Sequence, residues 1–496
     1  MATNSDAATG PGGTVGSASD TSDPADGGIT RVSVGTLTAM VVGGMVGAGV
    51  FSLPRRFATE TGVYGALIAW AIAGTGMLML VFVFQTLAVR KPKLDSGVYA
   101  YAKAGFGEYI GFFSAFGYWA SACVGNVTYW ILIMSTLGAI APWLGEGNTV
   151  PAVALSTIGI WLFAALVLRG TEGAAAINRI VTVAKVIPIL LFVVLCIFFF
   201  DYDIFRANFS GNGLGSTFEQ VNGTMLATVF VFLGVEGASV YSRYARRRED
   251  VGRATVLGFV GVLATFASVT IVSYGIMPRA EIAELRQPSM AGVLETAVGG
   301  WGGVFISIGL IVSVLGAYLA WALMAAEVLF VAAKDDDMPR FLKRTNRAGA
   351  PVSSVVITTI LIQIMLFVTM ASENAFDLAL NMTSALTLIP FVLAAAYALK
   401  IAYRPDDDAA PSASRSKELV VAGLATAYTI FLLYAAGPKY MLLSFVIYAP
   451  GSILFVLARR EQGRKLFAGV EPAILAFSII AAVLGVIGLA GGWITI

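Results

Sequence analysis

"VVGGMVGAGVFSLP", residues 41–54, sets four glycines (Gly43, Gly44, Gly47 and Gly49) and a terminal proline in an otherwise apolar run. Two structures accommodate such a run. The G-x-x-x-G-x-G spacing of Gly43, Gly47 and Gly49 occurs in loops that cradle a dinucleotide pyrophosphate; the alternative is a membrane helix interrupted in its middle. A dinucleotide loop needs a short strand before it, a helix after it and an acidic residue about 20 positions on. Here the run extends from Val34 to Pro54 as one membrane-length unit, and another such unit follows. The interrupted-helix reading stands.

Composition agrees. Of 496 residues, 57% are hydrophobic and 12% charged, with a mean hydropathy of +0.81, where a globular domain carries roughly a quarter charged residues. Stretches of about 20 apolar residues predict thirteen spans, near 33–53, 63–88, 108–139, 150–169, 174–200, 219–242, 252–277, 302–333, 352–371, 375–402, 418–436, 440–458 and 472–494. Residues 1–29, rich in Gly, Ser, Thr, Ala and Asp without a basic residue or apolar run, read as a disordered cytosolic tail and not as a signal peptide. Cys123 and Cys196 both fall inside spans, where thiols act as small hydrophobes. Of 32 Lys and Arg residues, 24 fall on the side of the amino terminus. Six fall on the other, namely Arg55, Arg56, Arg206, Arg279, Arg286 and Lys439. Basic loops stay cytoplasmic, so the amino terminus is expected inside.

Interior glycines each weaken a helix by about 1 kcal/mol and need a reason. Close helix packing through small residues is one. The other is a discontinuous helix whose freed N–H groups at Gly47, Ala48 and Gly49 bind an anion in a cavity. A second interrupted span favours it: "ATVFVFLGVEGASVYSRYARR" places Gly234 and Gly237 on either side of Glu236. Interrupted spans at matching places in two halves point to an inverted-repeat transporter. Donors on the first break and carbonyls around Phe230, Leu233 and Gly234 on the second fit a zwitterion, hence an amino acid or close relative.

Asn126 in span 3 is a candidate partner for a polar substrate side chain or a bond between helices. Trp321 in span 8 is a candidate to stack on a planar or cationic group or a lipid-facing or core residue. Lys185, Glu236 and Glu327 lie within spans, where a charge costs roughly 2.5–3.5 kcal/mol on the insertion scale and reads as functional by default. Lys185 is either a titrating, proton-sensitive element or a fixed charge where another transporter holds sodium. Glu236 either pairs with a cationic substrate or stays protonated as a structural donor. Glu327 reads as a helix-anchoring group near the inner end. With no histidine in the chain, a proton relay would have to use these groups. No nucleophile–base pair, metal cluster or HExxH motif appears, which argues against an enzyme and calls for no cofactor or metal.

The stretches "GGMVGAGVFSLP", "RKPKLDSGVYAYAKAGFGEYIGFFSAFGYWASACVGNVTYW", "VAKVIPILL", "FVFLGVEGASVYS" and "WALMAAEVLFVAAKDDDMPRFLKRTNRAGAPV" resemble the amino acid, polyamine and organocation permeases, and among them the basic amino acid antiporters. The resemblance runs from Val34 to the end. It implies an all-α polytopic membrane protein with a LeuT-like 5+5 inverted repeat, discontinuous helices 1 and 6, about 12–13 transmembrane helices, and alternating access. Repeats at 30–202 and 203–403 are then followed by peripheral helices in 404–496. It also implies that Met45, Val46, Ala48 and Gly49 hold the substrate carboxylate, that Phe230 and Leu233 take the α-ammonium, and that Asn126 and Trp321 face the side chain. Lys185 would couple protons or fill a sodium position. Ala48 and Phe230 stand where arginine–agmatine exchangers carry a serine and a gating tryptophan, which favours arginine–ornithine exchange over decarboxylated substrates. The implied partners are cationic amino acids and the bilayer of the cytoplasmic membrane, with a homodimer left open and no nucleic acid. A proton-coupled amino acid symporter using Lys185 and a non-transporting amino acid sensor of the same fold are the alternatives.

Overall fold

A computed structural model describes residues 33–92, 94, 98–169, 174–236, 248–404 and 414–495, with the side chains of 174–184 and 248–251 left out. The expected tail at 1–29 and Gly237 lie outside the described residues. Among those described the chain is all-α, and its one β-bridge joins Thr345 to Pro351.

The opening stretch breaks where its glycines are. Helix α1 (Val34–Met45) starts on Ser33, whose Oγ accepts from the Thr36 N–H at 3.3 Å, a side-chain cap for an orphan donor. It ends when Val46 leaves helical geometry and Gly47 is extended, at φ −119° and ψ −155°. A 3-10 turn, Ala48–Ser52, leads into α2 (Leu53–Glu60), where Pro54 sits in the first turn without forfeiting a helical hydrogen bond. The two parts are bent by 53°.

Helices α3 (Val63–Arg90), α4 (Val98–Phe106), α5 (Glu108–Gly138), α6 (Val150–Arg169), α7 (Ala174–Phe198) and α8 (Tyr202–Ala207) follow. Next comes α9 (Thr217–Phe232), fixed at its start by a reciprocal capping box between Ser216 and Glu219. It ends at Phe232, ahead of the glycine expected to break it, because Leu233 turns to ψ 139° and Gly234 to φ +99°. The remainder is α10 (Arg248–Ser273), α11 (Arg279–Glu284), α12 (Ser289–Val298), α13 (Gly300–Lys334), α14 (Val352–Thr369), α15 (Ala375–Tyr403), α16 (Arg415–Glu461) and α17 (Glu471–Ala490).

Among the described residues nine helices are long and apolar enough to cross a membrane, and α1 with α2 makes a tenth, broken span. The expected spans 11 and 12 form one hydrogen-bonded run, α16. Its 47 residues would reach about 70 Å if straight, more than twice the roughly 30 Å of hydrocarbon. It turns instead at Gly437, φ +66°, just before Pro438. The short helices α4, α8, α11 and α12 were not expected, since none carries a membrane-length apolar run.

Nearly all of α5 is buried, and it packs against α13, α14 and α15; α1 lies on α10, and α9 against α3 and α15. By contrast α6 and α17 expose most of their apolar surface, as lipid-facing helices do. Charged ties close both ends of the bundle. At one, Arg56 pairs with Asp377 at 3.1 Å. At the other, Lys103 pairs with Asp337 at 2.5 Å, Arg90 with Glu418 at 2.6 Å, and Arg459 with Glu108.

The two breaks touch. A Cβ on Gly234 would stand 2.5 Å from the Gly44 carbonyl oxygen, and one on Gly49 would stand 2.7 Å from Val231 and 2.8 Å from the Phe230 ring. Gly234→Ala is therefore expected to cost about 1–3 kcal/mol, from positive φ and a backbone clash together. Gly261→Ala, in α10 with no atom within 4 Å of the new methyl, is expected to be neutral or mildly stabilising. Thermal unfolding of both variants in detergent checks this; equal midpoints would refute the tight contact.

Candidate functional site

Where the breaks meet, the structure has a cavity. The first break lines it with Gly44, Met45, Gly47, Ala48, Gly49 and Val50, and the end of α9 with Phe230, Val231 and Leu233. Ser121, Ala122, Gly125 and Tyr129 of α5, Trp321 of α13 and Thr383 of α15 complete the wall. Non-atom space within it, including what opens to solvent, is about 410 Å³.

Its electrostatics come from helix ends. Among the described residues no acceptor meets the N–H groups of Gly47 and Ala48, which head the 3-10 turn and α2. These are the orphan donors of a helix start, where a negative group is favoured. Facing them is the C-terminal end of α9, whose last carbonyls carry partial negative charge. Of these, the Phe230 carbonyl accepts from the Leu233 N–H at 3.3 Å and retains a second lone pair. A positive and a negative backbone pole thus share one cavity. Tyr129 brings its hydroxyl to the first break, within 3.5 Å of where a Cβ on Gly47 would sit. Ser121 donates to the Thr383 carbonyl at 2.8 Å and pairs with Thr387, while Thr383 donates to the Ala379 carbonyl at 2.7 Å. The Ser121 hydroxyl thus joins α5 to α15 across the wall.

Of the residues singled out in the sequence, the structure brings Met45, Gly47, Ala48, Gly49, Phe230, Leu233 and Trp321 to the cavity. Val46 and Gly234 belong to the breaks without lining it. Asn126 is fully buried one turn beyond Ala122, whose carbonyl takes its Nδ2 at 3.0 Å; its Oδ1 meets no donor among the described residues. Lys185, on α7, donates from Nζ to the Gly43 carbonyl at 3.2 Å. A cation there satisfies the open C-terminal end of α1, as helix dipoles favour. Glu236 is buried and folds back on its own break, accepting from the Gly234 N–H at 3.1 Å and from the Tyr118 hydroxyl at 2.5 Å. Glu327 lies on the exposed face of α13, apart from the cavity. Six residues after Trp321 turn it to a different side of the helix.

A model of the amino acid permease family matches residues 32–450. The chain belongs to this family. Among relatives, an arginine/ornithine antiporter of Pseudomonas aeruginosa is 48% identical over 94% of this chain and 98% of its own length. An L-lysine transport protein of Corynebacterium glutamicum is 41% identical over 93% and 95%, and an arginine/agmatine antiporter of Chlamydia pneumoniae 34% identical over 88% and 92%.

For an amino acid permease, the polar wall of α5 and α15 is part of the site that sequence reasoning missed. Ser121, Tyr129 and Thr383 sit in spans crowded with other hydroxyls, and nothing local distinguishes those that face inward. Spacing offered one signal: Ser121, Gly125 and Tyr129 recur every four residues, on one stripe of α5.

Since Glu236 serves two donors, its removal is expected to show as instability. Glu236→Gln keeps one acceptor and is expected to cost about 1 kcal/mol; Glu236→Leu removes both carboxylate acceptors and is expected to cost about 2–4 kcal/mol. Unfolding midpoints in detergent test the order, and indistinguishable midpoints for the two variants would contradict this role.

Proposed function

We propose that this permease exchanges cationic amino acids across the cytoplasmic membrane, taking up arginine against ornithine by alternating access. The observation that carries the reading is the cavity's pair of opposed backbone poles. A carboxylate at the Gly47 and Ala48 N–H groups and an α-ammonium at the carbonyl end of α9 match an amino acid's invariant part. Trp321 in the same wall suits a guanidinium or ammonium on the side chain. The names of the relatives in Pseudomonas aeruginosa and Chlamydia pneumoniae support a cationic substrate and exchange.

The charge balance favours the exchange. Arginine and ornithine each carry +1 at neutral pH, so a one-for-one swap moves no net charge. It is not opposed by the membrane potential, worth about 2.3 kcal/mol per charge per 100 mV. The two repeats are assigned to residues 30–202 and 203–403, with the amino terminus inside on the strength of the basic-residue asymmetry. Catalysis of a covalent reaction has no place in this reading. Lysine uptake coupled to protons is the second reading, favoured by the buried Lys185 beside the break and by the lysine-transport relative.

Purified protein in liposomes decides between them. Radiolabelled arginine is expected to enter vesicles loaded with ornithine and not empty ones at equal pH. Equal entry into both would sink obligatory exchange, and entry that grew with an inward proton gradient would establish the second reading. Trp321→Leu is expected to weaken arginine binding about tenfold, the loss of a desolvated cation–π contact, with little change in melting temperature. Unchanged affinity would place the side chain elsewhere.

A further inference from the structure

A second pocket lies at the end of the bundle that the basic-residue asymmetry places outside. It shares no residue with the central cavity. Arg55 of α2, Glu146 of the α5–α6 connection, Gln287 before α12, and Glu373, Asn374 and Asp377 at the start of α15 line it. Four elements distant in sequence thus converge on one hollow.

Gln287 shows that the hollow is more than a cluster of surface carboxylates. The side chain is 3% exposed. Its Oε1 accepts from the Ser289 N–H at 3.0 Å, and Ser135 donates to its main-chain carbonyl at 2.6 Å. The orientation of the amide is dictated, because a backbone N–H needs an oxygen opposite it. Nε2 is left buried with no acceptor among the described residues, on a residue that lines the pocket. A buried amide donor without a partner costs about 1–3 kcal/mol, and a ligand oxygen would remove that cost.

The charges around it are sorted. Arg55 lies only loosely against Glu146, at 3.9 Å, so its guanidinium has capacity for a second anion. Asp377 is already engaged by Arg56, whereas Glu146 and Glu373 are exposed to solvent and keep acceptor capacity for a cation. The lining therefore offers cationic and amide donors for one carboxylate, together with carboxylate acceptors for positive groups, and is net negative. A zwitterion with an additional cationic end satisfies each of these, while a dicarboxylate meets repulsion.

We propose that this pocket is a reception subsite for cationic amino acids. The α-carboxylate lies between Arg55 and Gln287 Nε2, and the ammonium or guanidinium groups lie toward Glu146 and Glu373. The proposal rests on the reading of the chain as a carrier of cationic amino acids. The carboxylates are solvated, so binding there is weak, and the subsite raises the local substrate concentration over the end of α2.

The test uses Asn374→Cys in the full-length protein. Asn374 is exposed and caps α15 with no side-chain capping bond among the described residues, and the two native cysteines are buried, so the new thiol is the reactive one. Its rate of modification by a small neutral thiol reagent is followed in nanodiscs with arginine or glutamate added. Millimolar arginine is expected to slow labelling at least threefold, and glutamate not at all. Protection is expected to persist on a Trp321→Leu background and to vanish with Glu146→Gln and Glu373→Gln together. No protection by arginine, or protection lost with Trp321→Leu, overturns the subsite; the latter result would trace it to the central cavity. Arginine exchanged in liposomes without protecting the introduced thiol defeats the subsite alone, whereas protection without arginine transport leaves the subsite and defeats the exchange reading.

Discussion

Everything in the bundle is arranged around the backbone contact between two helix interruptions. Gly234 stands against the Gly44 carbonyl and Gly49 against Phe230 and Val231, at distances that admit no side chain. In lipid an interrupted helix is tolerated only where its freed backbone groups are taken up by protein or by a cavity. Putting the two interruptions together meets that condition for both, and it leaves donors of one beside carbonyls of the other. The cavity's polarity follows from this contact before any charged side chain is counted.

The ionisable residues near the breaks are spent on maintaining them. Lys185 closes the carbonyl end of α1 at Gly43, and Glu236 closes Gly234 with the help of Tyr118. Neither lines the cavity. The side-chain groups the cavity wall offers are instead an aromatic ring, Trp321, and the hydroxyls of Ser121, Tyr129 and Thr383. Under the exchange reading, such a wall meets a cation without neutralising it, and no buried ion pair has to be broken for its release.

Sequence alone carried the spans, because apolar length is a one-dimensional property, and it carried the first break, where glycines and a proline mark the place where the helix fails. It located the second break less well. The helix ends at Phe232 because Gly234 needs positive φ to pass the Gly44 carbonyl, a demand made by a residue 190 positions away. Glu327 and Asn126 show the same limit. Both are polar in apolar runs, yet one faces outward and the other is sealed within α5, a difference set by neighbours and not by local pattern. Gln287 could not have been singled out, since its importance lies in an atom that lacks a partner in three dimensions.

The ties at the two ends of the bundle differ in how they connect to the breaks. Arg56 and Asp377 form a largely buried pair reinforced by Asn381, which accepts from Arg56 at 3.1 Å and donates to Tyr440 at 2.8 Å. Arg56 belongs to α2, the half-helix whose start forms the cavity's donor pole, so its release would move the pole itself. The opposite end relies on several pairs, among them Lys103–Asp337 and the more exposed Lys343–Asp336. Burial pushes the Asp337 carboxyl above its ordinary range, while the Lys343 contact holds Asp336 below its own. Exposed pairs contribute little individually. Arg90–Glu418 at that end is as desolvated as Arg56–Asp377; what distinguishes Arg56 is its place on α2 directly after the first break, so freeing α2 requires an exchange of partners for Arg56. A substrate carrying both a carboxylate and a cation brings both kinds of partner to that place.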